Sequence, residues 1–233
     1  MNANLALVIA IDGPSGSGKS TLAKMLAEHL QVTYIDTGAM FRAVATAAHD
    51  NGLEINDSTE FQNFVQELNI EYWGKPERLI SINGIDLTHK IREHHVSALA
   101  SKVSQIPCVR EKLLKFQRSF ASSNVCVMEG RDIGTIVFPN AFIKFFVTAS
   151  VEIRARRRHE QLEANGETGL TLEQIKEDVQ RRDETDRKRD VAPLKEAEDA
   201  IHFDSTEHSL EDSIKAMVEQ VKERAGSLGI ELK

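Results

Sequence analysis

The chain is poor in cysteine. Cys108 and Cys126 are its only two, and they fit no metal-ligand or redox spacing. Two reduced thiols in a cytoplasmic protein are what remains. An excess of positive charge is also missing. Against 36 Asp and Glu stand 29 Lys and Arg, a net charge of −7, which argues against broad binding to nucleic acid or to an anionic membrane. No stretch is long and apolar enough to span a bilayer. The first apolar run has no basic residues before it, unlike a secretory leader. Repeats and low-complexity segments are absent as well. The expectation is a cytoplasmic protein with small-molecule partners, no nucleic acid and no membrane, in which any basic site is local. Hydrophobic residues make up 41% and charged residues 28% of the chain, the composition of an ordinary globular protein. Its 233 residues suffice for one large domain or one domain carrying inserts.

What is there centres on Gly13-Pro14-Ser15-Gly16-Ser17-Gly18-Lys19-Ser20, which fits the phosphate-binding P-loop pattern. The context supports it. Residues 5–11 form an apolar run short enough for a buried strand, and 20–30 have helical spacing, with Leu22, Met25, Leu26 and Leu30 on one face. Glycines let the backbone turn N–H groups toward phosphate oxygens, and the helix N-terminus adds partial positive charge. Lys19 is placed to reach the β- and γ-phosphates of a nucleoside triphosphate, and the Ser20 hydroxyl to hold Mg²⁺.

Further strands are expected over 32–35, 125–128, 143–148 and 200–203, alternating with helices over 39–51, 91–105, 107–121 and 209–225. Gly52 suits the end of the second helix and Pro107 the first turn of another. Alternating strands and helices indicate an α/β fold with a parallel sheet covered on both faces. Ligands of such sheets bind outside the carboxyl ends of the strands. Thr37 and Arg42 follow one such end, and Glu129-Gly130-Arg131-Asp132 another. Residues 57–88 break the alternation. Asp57 with Glu60 resembles a helix start. Two strands, 79–82 and 85–88, flank an Asn83-Gly84 hairpin turn, with another at 69–73. This is an insert of antiparallel structure.

A basic region follows 150. Arg154, Arg157 and Arg158 share one helix face, Asn165-Gly166 break that helix, and Thr171 with Gln174 caps the next. Arg182, Asp186 and Arg189 then fall on one face at i, i+4 and i+7. Two arginine-rich helices read as a hinged cover; the alternative is a pair of surface helices whose arginines are satisfied by Glu152, Asp183 and Glu184. Planar guanidinium forks suit phosphate oxygens. A hydroxyl acceptor needs a base to take its proton, whereas a phosphate acceptor is already an oxyanion. Many arginines and no obvious base favour phosphoryl transfer to a phosphate, by positioning and charge neutralisation.

Together GPSGSGKST (13–21), DTGAMFRAV (36–44), VREKLLKFQR (109–118), EGRDIGTIVFP (129–139), RRDETDRKRDVAPL (181–194) and IHFDST (201–206) resemble the bacterial cytidylate kinases. The resemblance runs from the P-loop to the final helix, and the hairpin insert resembles the one that marks the bacterial form. It implies a P-loop, adenylate-kinase-like core with a five-stranded parallel sheet, helices on both faces, an NMP-binding region and a mobile lid. One domain over 1–233 is implied, with the core at about 1–38, 107–150 and 192–233, the NMP-binding region with its insert at about 39–106, and the lid at about 151–191. The implied reaction is phosphorylation of CMP and dCMP by ATP with Mg²⁺, in a monomer serving pyrimidine metabolism.

Carried over by position, Gly13, Pro14, Ser15, Gly16, Ser17, Gly18, Lys19, Ser20 and Thr21 correspond to the ATP-phosphate site. Thr37 corresponds to a hydroxyl near the acceptor, where the family often has serine, and Arg42 and Arg131 to arginines on the CMP phosphate. Ser101, Arg110 and Asp132 correspond to cytosine readers. The exocyclic amine of cytosine donates and needs an acceptor such as Asp132, while its N3/O2 edge suits Arg110. Arg182 and Asp186 correspond to sugar contacts and Arg189 to a phosphate contact. Lys19, Arg131, Arg157, Arg158 and Arg189 are the implied catalytic residues and Ser20 the metal-binding one. Ser20 departs from members that carry glycine there. Two other readings stand beside this one: a kinase for a metabolite hydroxyl with Asp36 as base, and a nucleotide-controlled switch without an acceptor.

Overall fold

The computed structural model describes residues 5–120, 125–164, 166, 169–207 and 209–232. Asn165, read as a helix break, and residue 121, the expected end of a helix, lie outside that set. The chain divides into two compact units, one made of residues 1–34 and 121–233, the other of residues 35–120.

The first unit is built on a five-stranded parallel sheet in the order β2-β6-β1-β7-β8. Its strands are β1 (Ala6–Asp12), β2 (Thr33–Asp36, whose last two residues open the second unit), β6 (Cys126–Gly130), β7 (Ala141–Thr148) and β8 (Ile201–Asp204). The central strand β1 pairs with β6 on one side and β7 on the other, placing Ile9 beside Val127 and Ile143 and bringing Asp12 level with Gly130. The near-continuous apolar runs of β1 and β7 follow from burial on both faces. Helices α1 (Lys19–Leu30) and α8 (Leu210–Leu228) pack together on the sheet. Leu22, Leu26 and Leu30 of α1 and Met217 and Val221 of α8 join Ile9, Ile11, Val127, Phe145 and Val147 in one buried cluster. Helix α8 runs through Gly226 and ends at Gly229, which adopts a left-handed φ of 65°. Helices α6 (Val151–Ala164) and α7 (Leu172–Lys188) enclose a small core of their own, made of Ala155, Leu162, Ile175 and Val179.

The second unit holds helices α2 (Thr37–Asp50), α3 (Thr59–Glu67), α4 (His94–Val103) and α5 (Pro107–Ser119), with a separate antiparallel sheet β3-β4-β5 of Ile70–Lys75, Arg78–Ile82 and Ile85–Asp86. The hairpin turn falls where its dipeptide indicates: Asn83 and Gly84 both have positive φ, 51° and 79°. Gly52 follows α2 with φ 68°, its N–H donating to the His49 carbonyl.

Four local features differ from expectation. The return strand stops at Asp86, because the Asp86 carboxylate accepts both the N–H and the hydroxyl of Thr88 and turns the chain. The helix expected over 91–105 is split: a short 3₁₀ turn at Lys90–Arg92 ends at Glu93, whose ψ of 143° is extended, before α4 begins. The cap of α3 is Ser58, whose hydroxyl accepts from the Phe61 N–H; Asp57 instead accepts from the Gln62 side chain. Arg189 lies just past the last turn of α7 with ψ 139°, so it leaves the helical face shared by Arg182 and Asp186.

Candidate active site

The P-loop is assembled at the end of β1. The chain leaves the strand at Asp12, loops through the glycines and enters α1 at Lys19. Gly13 has to be glycine: a Cβ there would sit 2.0 Å from the Val147 carbonyl oxygen. Gly18 caps α1 in the left-handed region with φ 85°, no side chain caps the helix, and its first turn holds no acidic residue. That end therefore keeps its partial positive charge for an anion. Lys19, 7% exposed, donates from Nζ to the Pro14 carbonyl at 3.1 Å, so its ammonium lies over the loop. Ser15, Gly16 and Ser17 complete the turn, and Thr21 follows Ser20 on the exposed side of the helix.

Two carboxylates that sequence reasoning did not assign lie beside this loop. Glu129, the penultimate residue of β6, is buried; one oxygen accepts from the Ser20 hydroxyl at 2.8 Å and the other from the Tyr34 hydroxyl at 2.6 Å. A hydroxyl and a carboxylate at hydrogen-bond distance form a hard oxygen donor pair, the kind Mg²⁺ takes from a protein while phosphates and waters complete its shell. The residues present therefore fit the ion, with Glu129 joining Ser20. Asp12 accepts the N–H groups of Ile133 and Gly134 at 2.8 and 2.7 Å. Burial pushes its carboxyl up to about 7, against the opposite pull of these two hydrogen bonds and of Arg131. Asp12 thereby ties the start of the P-loop to the turn after β6. That turn is a π-helical segment, Ile133–Val137, in which the Ile136 and Val137 N–H groups both donate to the Asp132 carbonyl.

The same turn presents Arg131 and Asp132 to the residues around the end of α7. Arg131 Nε donates to Asp186 Oδ2 at 2.9 Å. Arg189, 4% exposed, reaches Asp132 at 3.6 Å and Asp186 at 3.8 Å, and donates from Nε to the Ala192 carbonyl. Burial disfavours the charged form of Asp186, but Arg131, Arg189 and Arg182 outweigh it and hold the carboxyl below its usual value. Burial likewise disfavours the Arg131 charge, and Asp186 with Glu129 and Asp183 more than compensates. The structure thus brings Arg131, Asp132, Asp186 and Arg189 into one charged cluster, with Arg182 within electrostatic reach.

Arg157 donates to the Ser205 hydroxyl at 3.0 Å and to its carbonyl at 2.9 Å, and Ser205 in turn donates to the Ser17 carbonyl at 2.9 Å. A Cβ on Gly18 would come within 3.3 Å of the Arg157 guanidinium, so this arginine stands at the loop. Arg158 donates to Gln161 on its own helix at 2.7 Å. Of the proposed salt-bridging acids, Asp183 pairs with Arg154, whereas Glu152 and Glu184 pair with Lys176 and Lys188.

In the second unit, Thr37 is buried in the first turn of α2. Arg42, on the next turn, pairs with Asp36 at 2.9 Å. The other Asp36 oxygen caps α2 by accepting the Ala39 N–H, so both oxygens are engaged. Ser101 lies on α4, where its carbonyl accepts from Ser104. Arg110 on α5 donates to the Ser104 carbonyl at 3.1 Å and stands over the Phe41 ring at 5.5 Å.

Residues 9–223 match the family model described as cytidylate kinase. A cytidylate kinase of Geobacillus kaustophilus is 45% identical over 219 residues, covering 94% of this chain and 97% of the relative. One of Pseudomonas fluorescens is 42% identical over 222 residues, covering 94% and 96%. Among solved structures, a gluconokinase of Sinorhizobium meliloti superposes with a TM-score of 0.51 at 14% identity, covering 95% of this chain and 94% of its own, a likeness of fold alone.

Proposed function

The chain belongs to the cytidylate kinase family of phosphotransferases, and we propose that it transfers the γ-phosphoryl group of ATP directly to CMP and dCMP, giving CDP and dCDP. The reading is carried by the cluster of Arg131, Asp132, Asp186 and Arg189 at the end of the strand next to the P-loop strand. Guanidinium groups there suit an acceptor that already bears phosphate charge, and a carboxylate suits the amine of cytosine. Asp36, the candidate base for a hydroxyl acceptor, has both oxygens bonded, which weighs against that alternative.

In this mechanism the P-loop N–H groups and Lys19 hold the β- and γ-phosphates, and Arg157 and Arg158 attend the donor. By family correspondence alone, Arg131, Arg189 and Arg42 are assigned to the acceptor phosphate, Asp186 and Arg182 to the sugar, Asp132, Ser101 and Arg110 to the base, and Thr37 to a hydroxyl contact with the acceptor. Ser20 and Glu129 would hold Mg²⁺, which supplies charge neutralisation on the phosphates. The acceptor oxyanion needs no base, so the protein's contribution is alignment and neutralisation. A coupled assay of ADP formation with CMP, dCMP, UMP, AMP and GMP tests the reading. CMP and dCMP should turn over far faster than the rest. Equal rates with UMP would overturn the cytosine assignment, and slow ATP hydrolysis indifferent to any monophosphate would replace the kinase with a switch.

A further inference from the structure

Arg154 has no role in the reading above, yet its guanidinium is buried and bonded in three directions. Nε donates to the Ala149 carbonyl at 3.0 Å, one terminal nitrogen to the Ser15 carbonyl at 3.0 Å, and the other to Asp183 Oδ2 at 2.6 Å. The side chains are only 4% and 9% exposed. The P-loop meets the same residue a second time. A Cβ on Gly16 would lie 3.0 Å from the Arg154 carbonyl oxygen and 3.1 Å from its Cβ, so only a glycine lets the loop settle on this part of α6. In the trans peptide between Ser15 and Gly16, the Gly16 N–H points opposite to the Ser15 carbonyl. Holding the carbonyl on Arg154 therefore aims that N–H away from α6. At its other end Arg154 holds Asp183 on α7, the helix that carries Asp186 to Arg131 and leads directly into Arg189. The second Asp183 oxygen is buried with no hydrogen-bond partner among the described residues, so Arg154 is the direct partner of this carboxylate, with Arg131 adding attraction at longer range.

We propose that the Arg154–Asp183 ion pair is a positioning device that couples the two substrates: phosphate seated in the P-loop fixes Arg154, Arg154 fixes α7, and α7 presents Asp186 and Arg189 to the acceptor. Coupling of this kind is reciprocal, so each substrate tightens the other by the same factor. The acceptor half of this inference rests on the cytidylate kinase reading; the donor half does not. Lysine cannot replace Arg154, because a single ammonium does not reproduce a planar fork fixed on three acceptors. Asparagine at 183 keeps a carbonyl toward Arg154 at nearly the same volume but removes the charge.

The test is calorimetric titration of the protein, Arg154→Lys and Asp183→Asn with CMP, in the absence and presence of a non-hydrolysable ATP analogue. In the unsubstituted protein the analogue should tighten CMP by about ten-fold. In each variant that ratio should fall toward one, and the double variant should fall no further than either single. Arg154→Lys should also weaken the analogue by itself, while Asp183→Asn should leave it nearly unchanged. A ratio of one in the unsubstituted protein overturns the proposal. So does a ratio left intact by both substitutions while the melting temperature drops, since that marks a merely structural pair. If no monophosphate supports ADP formation in the unsubstituted protein, the functional reading fails instead. The donor half is then still decided by the analogue's affinity for Arg154→Lys.

Discussion

Charged side chains near the end of β6 are held by one another. Arg131 and Arg189 both face Asp186, and Arg189 also faces Asp132. Arginines paired this way are pre-positioned, so an acceptor phosphate of the kind proposed would cost less side-chain entropy on binding. In the proposed function Asp132 is the member with a selective task. Cytosine donates from its exocyclic amine where uracil presents an oxygen, so a carboxylate there favours one base and opposes the other. Asp132→Ala should lower the CMP-to-UMP ratio of kcat/KM by at least about ten-fold, read from initial rates with both acceptors. An unchanged ratio would move base reading to Ser101 or Arg110. The run Glu129-Gly130-Arg131-Asp132 stands out in the sequence as charge beside glycine at a strand end, whereas the roles expected of Arg131 and Asp132 come from the resemblance to the cytidylate kinases. Glu129 and Asp12 stand equally close to such ends, yet their tasks were not legible. Their partners Ser20 and Ile133 lie 109 and 121 positions away along the chain, and nothing local in the sequence announces such a pairing.

Helices and turns show where local chemistry decides and where context overrides it. The capping box of α7 was readable because Thr171 and Gln174 bond each other reciprocally within one turn. The start of α3 was less so, since Asp57 and Ser58 are both good caps and only backbone geometry chooses. Ser58 has the extended ψ of 156° that aims its oxygen at the Phe61 N–H. Ser58→Ala should therefore destabilise the chain by about 1 kcal/mol, and Asp57→Ala by less than half as much, in denaturant unfolding. Equal losses would return the cap to Asp57. The split before α4 and the short β5 have the same origin. Glu93 and Asp86 do not break the apolar periodicity, yet one backbone angle and one carboxylate turn end the elements there. The π-helical segment after Asp132 left no trace in the apolar pattern, because it is fixed by Asp12 from another strand.

At the scale of the whole molecule, alternation of strand and helix was enough to indicate a parallel sheet, and the P-loop motif marked the strand it follows, β1. The order β2-β6-β1-β7-β8 was not legible from the chain itself, because β6 reaches its place beside β1 only after the whole second unit has intervened. That order sets the pH response, since pairing β6 with β1 is what buries Asp12 under the Ile133–Gly134 turn. Its carboxyl is raised from 3.8 to about 7, so the folded chain keeps a proton that the unfolded chain releases. The stabilisation from this group is complete below pH 3.8 and is lost as pH rises toward 7. Asp186, held low by its arginines, acts in the opposite sense and only in acid, as the pH falls below its ordinary 3.8. Denaturant unfolding between pH 5 and pH 8 should therefore show the unsubstituted protein losing stability relative to Asp12→Asn, by up to about 1 kcal/mol per pH unit, with the difference levelling off above about pH 7. The asparagine leaves one of the two N–H groups without its acceptor, which lowers its whole curve by a constant and leaves the difference in slope untouched. Parallel curves would mean that the two backbone N–H groups keep Asp12 ionised throughout, with the β6 turn held by a full negative charge.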